Sequence, residues 1–155
     1  TLFSCNLNKK DREIIISELL HNIDFDIVFY RGFKDSELIQ LLNKKLNPYL
    51  NSFSKKYDMK IKKMTSIIYK NDNFNKENFW CFLNSIDNFK LTTIYKLSGI
   101  TKSVILSYFF LKQKISYVEL FKLTNIENFF QQKKWGYVLE QKEKDKEILK
   151  ILKNI

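Results

Sequence analysis

Apolar side chains recur along this chain mostly at three- and four-residue spacing, the repeat that lines one face of an α-helix. Residues 9–23 place Ile16, Leu20 and Ile23 on one stripe, with Ile15 and Leu19 beside it. Asn8 is positioned to cap that helix, and Asp11 suits its first turn. Asp35 is positioned to cap a second helix carrying Leu38, Leu41 and Leu42. Pro48 either interrupts it or opens a new helix, where a first-turn proline sacrifices no hydrogen bond. Two stretches break the helical repeat. Residues 26–31 (DIVFYR) are β-branched and aromatic and read as extended. Residues 60–69 mix Ile, Thr and Tyr with Lys and read as a strand or hairpin arm, followed by a polar loop at 71–75.

The second half is more uniformly helical. Phe79, Phe82, Leu83 and Ile86 line one face, and Leu91, Ile94 and Tyr95 repeat the pattern up to Gly99, which is placed to end that helix. Residues 101–112 (TKSVILSYFFLK) are apolar nearly all round, as in a helix covered on most sides. Within them Ser103 and Ser107 lie one turn apart, small enough to admit a close neighbour. Ser116 with Glu119, and Thr124 with Glu127, both fit the S/T-x-x-E capping box. The first opens a helix burying Tyr117, Leu120 and Phe121. The second opens one burying Ile126, Phe129 and Phe130. Residues 140–153 form a charged helix with Ile148, Leu149, Ile151 and Leu152 on its apolar side. With three glycines and one proline in 155 residues, these elements predict a mainly α fold: an orthogonal bundle of short helices with a small extended or β element in the first half. The whole of 1–155 reads as one helical domain behind an N-terminal lead-in segment. It opens on Thr1 rather than Met, as a processed or excised piece would.

Composition changes the picture in two places. The net charge is +10, which suits an anionic partner and makes a basic helical nucleic-acid-binding module the alternative reading. Against it, Arg12 and Arg31 are the only arginines, and arginine is the usual fork for phosphates and bases. The abundance of Lys, Asn, Ile and Phe, with no Ala, matches A+T-rich codons, so part of the charge reflects the genome. Phe129, Phe130, Lys133, Lys134 and Trp135 interleave aromatic and basic residues, but helical spacing sends the phenylalanines to the core with Ile126. Specific nucleic-acid binding is therefore not expected. Cys5 and Cys81 are distant and fit a reducing compartment. The most apolar run, 104–111, is far shorter than the ~18–20 residues that span a bilayer.

Nothing in the chain composes a catalytic set. His21 is the only histidine, two separated cysteines make no zinc motif, and no glycine-rich phosphate loop is present. No catalytic residue, metal or cofactor is expected. The carboxylates Asp24, Asp26 and Glu127 could meet in space, though capping or solvation accounts for each.

One segment carries a family likeness. Residues 126–138 (IENFFQQKKWGYV) place an acid, Glu127, ahead of an aromatic-Gln pair, Phe130 and Gln131, and then Trp135-Gly136. In this order they resemble the signature of the mitochondrial and alphaproteobacterial chaperone for the F-type ATP synthase alpha subunit. Asp26, Tyr30 and Arg31 are similar to that family's Asp-x-x-x-Tyr-Arg, residues 47–50 (NPYL) to its Asp-Pro followed by apolar residues, and Lys102-Ser103 to a Lys-Ser pair. Thr1-Leu2 resembles the start of the segment joining the family's two domains. Departures at Asn128, Lys133 and Lys142-Glu143 make this chain the more basic.

The resemblance implies a chaperone rather than an enzyme, corresponding to the family's helical C-terminal domain without its upstream β-rich domain. It implies a monomer in a mitochondrial matrix or an alphaproteobacterial cytoplasm. The partner would be the unassembled alpha subunit, whose beta-contacting surface it would shield until the catalytic head assembles. Glu127, Gln131, Lys102, Tyr30 and Arg31 become candidate partner contacts, with the capping box on Thr124 the competing role for Glu127. Trp135, Gly136, Phe130 and Ser103 become structural positions: Trp135 as the ring that anchors the turn, and Gly136 as a backbone angle other residues resist.

Overall fold

The computed structural model describes residues 7–60, 63–65, 75–136 and 139–155. Helix α1 (Lys9–Asn22) starts at a reciprocal capping box. Asn8 Oδ1 accepts from the Asp11 amide at 2.9 Å, and Asp11 accepts from the Asn8 amide at 3.2 Å. Ile15, Ile16, Leu19 and Ile23 are buried, while Leu20 is only partly so. Asp35 caps α2 (Ser36–Tyr57), accepting from the amides of Glu37 and Leu38.

Pro48 neither ends α2 nor starts another helix; it lies inside an unbroken one. Proline gives Lys44 no amide to bond and costs a helix interior about 3 kcal/mol. Leu38, Leu42, Leu46, Leu50, Phe53 and Tyr57 offset that loss, because all six are buried along one side. Full burial stabilises such a side chain by roughly 1.5–3 kcal/mol, so the stripe outweighs the missing bond.

The stretch 26–31 is not a strand. Two 3₁₀ turns occupy Ile23–Phe25 and Ile27–Phe29. The Asp26 carboxylate accepts from the Val28 amide at 3.1 Å, which bends the chain where propensity alone favours extension. Extended structure survives as one isolated parallel bridge between Tyr30 and Met64, closed by Arg31 N–H to the Met64 carbonyl (2.7 Å) and Met64 N–H to the Phe29 carbonyl (2.8 Å). Gly32 is required beside it: a Cβ there would sit 2.2 Å from the Thr65 carbonyl oxygen. The rest of the expected arm, at 61–62 and 66–69, and positions 71–74 of the expected loop lie outside the described residues.

Helices α3 (Glu77–Ser85), α4 (Asn88–Thr101), α5 (Val104–Leu111), α6 (Tyr117–Thr124), α7 (Ile126–Trp135) and α8 (Leu139–Lys153) follow. Gly99 does not stop α4, which continues to Thr101 and ends where Lys102 turns left-handed at φ 57°. A tertiary polar knot fixes that end. Thr101 Oγ1 donates to the Leu97 carbonyl (2.8 Å) and accepts from the Ser103 amide (3.3 Å), and Ser107 Oγ donates to the Ser103 carbonyl (2.6 Å). Ser103 then caps α5 through the Leu106 amide at 3.0 Å. Both serines are fully buried where α4 and α5 meet, as their small size predicts.

α5 is covered on most sides. Its Tyr108 joins Phe53 and Tyr57 of α2 and Phe79 and Phe82 of α3, with ring centroids 4.8–6.3 Å apart in mostly edge-to-face contacts. Around this cluster α1 packs on α3 and α4, and α6 packs on α5 and α8. On α8, Leu152 is buried and Ile148 and Leu149 partly so, whereas Ile151 faces solvent. Among the described residues the fold is thus eight α-helices and two 3₁₀ turns.

Candidate functional site

Both arginines are consumed inside the fold. Arg12 donates to Asn88 Oδ1 and to the Ile86 carbonyl (2.9 Å), clamping the turn between α3 and α4. Arg31, expected at a partner surface, is 5% exposed. Its Nη1 donates to the carbonyls of Val28 (2.8 Å) and Tyr30 (2.7 Å), and its Nε to Asn43 Oδ1 (3.1 Å). Burial lowers its pKa to about 10, which leaves it charged at neutral pH. It locks the 3₁₀ turn onto α2 and presents nothing to a partner. The outward-facing cations are therefore lysines.

Lys102 is divided between two roles. Its backbone makes the left-handed α4 terminus and accepts from the Ile27 amide at 3.3 Å, while its side chain is exposed. Ser103 is fully buried and caps the next helix.

Tyr30 and Glu127, far apart in the chain, line one recess of about 340 Å³. Tyr30 stacks edge-on with Phe33 (5.0 Å), and Leu42, Leu46 and Met64 form the apolar wall. The capping box that competed for Glu127 does not form. α6 keeps Thr124 as its last residue, with its hydroxyl bonded back to α6 carbonyls, and Asn125 precedes α7 without a side-chain cap. Glu127 instead accepts from Gln131 Nε2 at 3.0 Å, one turn on, so these two candidates form a polar pair on the outer side of α7. Asp24 does not join them, since it pairs with Lys76 at 2.7 Å. Asp26 lines the same recess but is 1% exposed, with both carboxylate oxygens taken by the Val28 and Ile105 amides.

A larger groove of about 1230 Å³ opens next to this recess, between α2 on one side and α6 and α7 on the other. Leu123 and Ile126 line both hollows, so the apolar surface is continuous. Phe129 and Phe130, expected in the core with Ile126, are only half-buried and form part of the groove. Phe129 rests edge-on against Phe121 at 5.7 Å. Val118 adds an apolar side chain that is 37% exposed. Two ties set the groove's width. Tyr49 Oη donates to Glu119 Oε1 at 2.9 Å, and Lys134 pairs with Asp35 at 2.7 Å. Burial, reinforced by Glu119, pushes the Tyr49 hydroxyl up to about 12, so it remains a donor at any physiological pH. Lys134 holds the Asp35 carboxyl below its usual range. Sequence reading missed this groove because its walls lie some 70–90 residues apart; the signal present was the pairing of an apolar position with lysine one turn on, Leu41 with Lys45 and Val118 with Lys122.

The Trp-Gly turn is half as expected. Gly136 takes φ 93° and ψ 166°, a region open essentially to glycine alone, and its amide donates to the Gln132 carbonyl at 2.9 Å. Trp135 is not buried: it is 81% exposed. Its ring borders a shallow hollow shared with Gln131 and Gln132 of α7 and Gln141 and Lys144 of α8.

No protein-family profile and no curated protein matches the sequence. Solved structures do match its shape. An Asp-to-Lys mutant of Atp12p from Paracoccus denitrificans superposes with a TM-score of 0.85 at 17% identity, covering 96% of this chain and 64% of that one. The structure of Atp12 from the same organism gives 0.82 at 16% identity, over 96% and 64%. The Atu1473 protein of Agrobacterium tumefaciens gives 0.81 at 14% identity, over 97% and 59%. The chain has the fold of these proteins over its own length and spans less than two thirds of theirs.

Proposed function

We propose that this domain is an assembly chaperone of the F-type ATP synthase, which binds the free alpha subunit and covers its beta-contacting surface until the catalytic head forms. The fold shared with Atp12 carries the reading. It is supported by the likeness of residues 126–138 to the chaperone family and by the continuous apolar face of α2, α6 and α7.

The physical argument is short. A subunit interface exposed before assembly is a large apolar patch, and such patches aggregate. A chaperone that covers the patch with a half-buried apolar face of its own removes it from self-association. Release then needs no nucleotide, because an incoming beta subunit of higher affinity displaces the chaperone by competition. The domain acts as a monomer, in a mitochondrial matrix or an alphaproteobacterial cytoplasm. Glu127 and Tyr30 contact the client from the recess beside the groove, Gln131 from the outer side of α7 next to Glu127, and the Lys102 side chain from the α4–α5 corner.

The test is co-expression of the alpha subunit with this domain, alone and joined to a β-rich domain of the family. Soluble alpha subunit that co-purifies and is released on adding beta supports the proposal. Alpha subunit that aggregates equally with and without either form overturns it. Within a working complex, Glu127→Lys leaves the melting curve nearly unchanged and weakens binding; equal binding by both proteins removes Glu127 from the contact surface.

A further inference from the structure

We infer that the groove between α2 and α6–α7 receives an acidic, amphipathic helix of the client. This deepens the chaperone reading and rests on it for who the client is.

Charge is the first argument. Five lysines and two glutamates line the groove, and one of those glutamates, Glu119, already accepts from Tyr49. Lys134 is paired with Asp35. That leaves Lys44, Lys45, Lys122 and Lys133, all exposed and, among the described residues, in no ion pair. They stand on both walls: two on α2, one on α6 and one on α7. Between them the surface is apolar, with Leu41, Pro48, Val118, Phe129 and Phe130. An apolar strip between two cationic rims complements a segment with an apolar stripe flanked by carboxylates. A second copy of this chain, itself at +10, would bring like charge to the rims.

Backbone chemistry is the second argument, and it selects a helix. Every wall of the groove is helical, so no open strand edge among its lining residues can pair with a guest's amides. An extended guest would set its N–H and C=O groups against apolar side chains, at a cost of roughly 1–3 kcal/mol for each unbonded group. A helix satisfies its own backbone and offers only side chains, the helix-in-groove mode of recognition. Size agrees. The lining residues of α2 run from Glu37 to Tyr49, about 18 Å at 1.5 Å per residue, enough for a guest of about three turns. The volume of 1230 Å³ also exceeds the roughly 300–1,000 Å³ of small-molecule pockets.

The probe is a fluorescent peptide of roughly 16 residues, Leu on one face and Glu on the other. It is compared with a Leu/Lys counterpart and with a Glu peptide of the same composition whose leucines are scrambled off one face. Anisotropy against the 155-residue chain at physiological salt is the readout. The expected result is binding of the Leu/Glu peptide at least tenfold tighter than either control. The triple variant Lys44→Glu, Lys122→Glu, Lys133→Glu then reverses the charge preference, and Val118→Asp weakens all binding. Circular dichroism shows that these surface variants keep the fold. Indifference to the lysine reversals, equal binding of the scrambled peptide, no detectable binding, or displacement by a mixed-sequence oligonucleotide as readily as by unlabelled peptide would each overturn the inference. Should the groove behave as expected while the alpha subunit is not held soluble, the helix receptor stands and the chaperone reading fails. Should the alpha subunit be held while the peptides are not discriminated, the reverse follows.

Discussion

Asp26 is a buried carboxylate with no ion pair among the described residues, and its titration can be read directly as stability. One oxygen accepts from the Ile105 amide in the first turn of α5 (2.9 Å) and the other from the Val28 amide (3.1 Å). Burial raises its pKa from 3.8 to about 6, and the hydrogen bonds from Ile105, Ser103 and Val28 oppose the rise without cancelling it. The sign follows from proton counting. Below pH ~4 the group is protonated in both the folded and the unfolded chain. Between ~4 and ~6 the unfolded chain has lost its proton and the folded one has not, so folding stability falls as pH rises. Above ~6 both are ionised and the loss is complete. A displacement of about two pH units corresponds to about 3 kcal/mol at 1.36 kcal/mol per unit.

The perturbation that isolates this effect is Asp26→Asn, which keeps the shape and one acceptor but cannot ionise. It brings a roughly constant cost of about 1–3 kcal/mol, because its amide nitrogen faces a backbone donor. Urea denaturation of both proteins from pH 3.5 to 7.5 gives two curves. Asp35, Asp87 and Glu140, whose pKa values lysine partners hold down, contribute stability that is present at neutral pH and lost on acidification. That background is common to both proteins and cancels in the difference. Wild type minus variant should fall by about 3 kcal/mol as pH rises through 4–6. A flat or rising difference would mean that Asp26 is better solvated or better bonded than the structure has it.

Three further substitutions test the local assignments. Trp135→Ala should change stability by less than about 0.5 kcal/mol, since the ring is 81% exposed; a thermal-melt loss near the 3–5 kcal/mol of a buried aromatic would contradict its placement. Lys102→Gly relieves a left-handed lysine and should raise stability by up to about 1 kcal/mol by chemical denaturation; a decrease would show that its side chain contributes more than its backbone costs. Ser103→Ala removes a buried cap and should cost about 1–2 kcal/mol, and should combine non-additively with Asp26→Asn because both serve the start of α5.

What could be read without coordinates was whatever local chemistry decides. The start of α1 was legible because Asn8 and Asp11 satisfy each other within four residues, and the enclosure of α5 because its sequence is apolar on every side. The misreadings fall where packing or a competing hydrogen bond overrides a propensity rule. Pro48 was read as a break or as the first turn of a new helix, but the six buried residues of α2 hold one helix through it. Gly99 was read as a stop, but the bonds among Thr101, Ser103 and Ser107 set the end at Lys102. Thr124 and Glu127 have capping-box spacing, yet the Thr124 hydroxyl turns back into α6. Arg31 was a candidate contact through the family resemblance, and the carbonyls at the end of a 3₁₀ turn hold it buried instead. Trp135 was read as the anchor of its turn, but its ring is 81% exposed. The candidate site was half legible: Tyr30 and Glu127 were named, but the recess they share and the lysine groove exist only once α2 meets α7.

The proline in α2 has one more consequence. It stands in the wall of the groove, at the point where that wall is one backbone bond short. Helices bend most cheaply where such a rung is missing. The wall therefore has a built-in compliance toward its Tyr49 end, while the helix is held by buried Leu46 before the proline and Leu50 and Phe53 after it. A receptor with one yielding wall can fit helices of differing girth without unfolding any part of itself, and it can let go of them by the same small flexure.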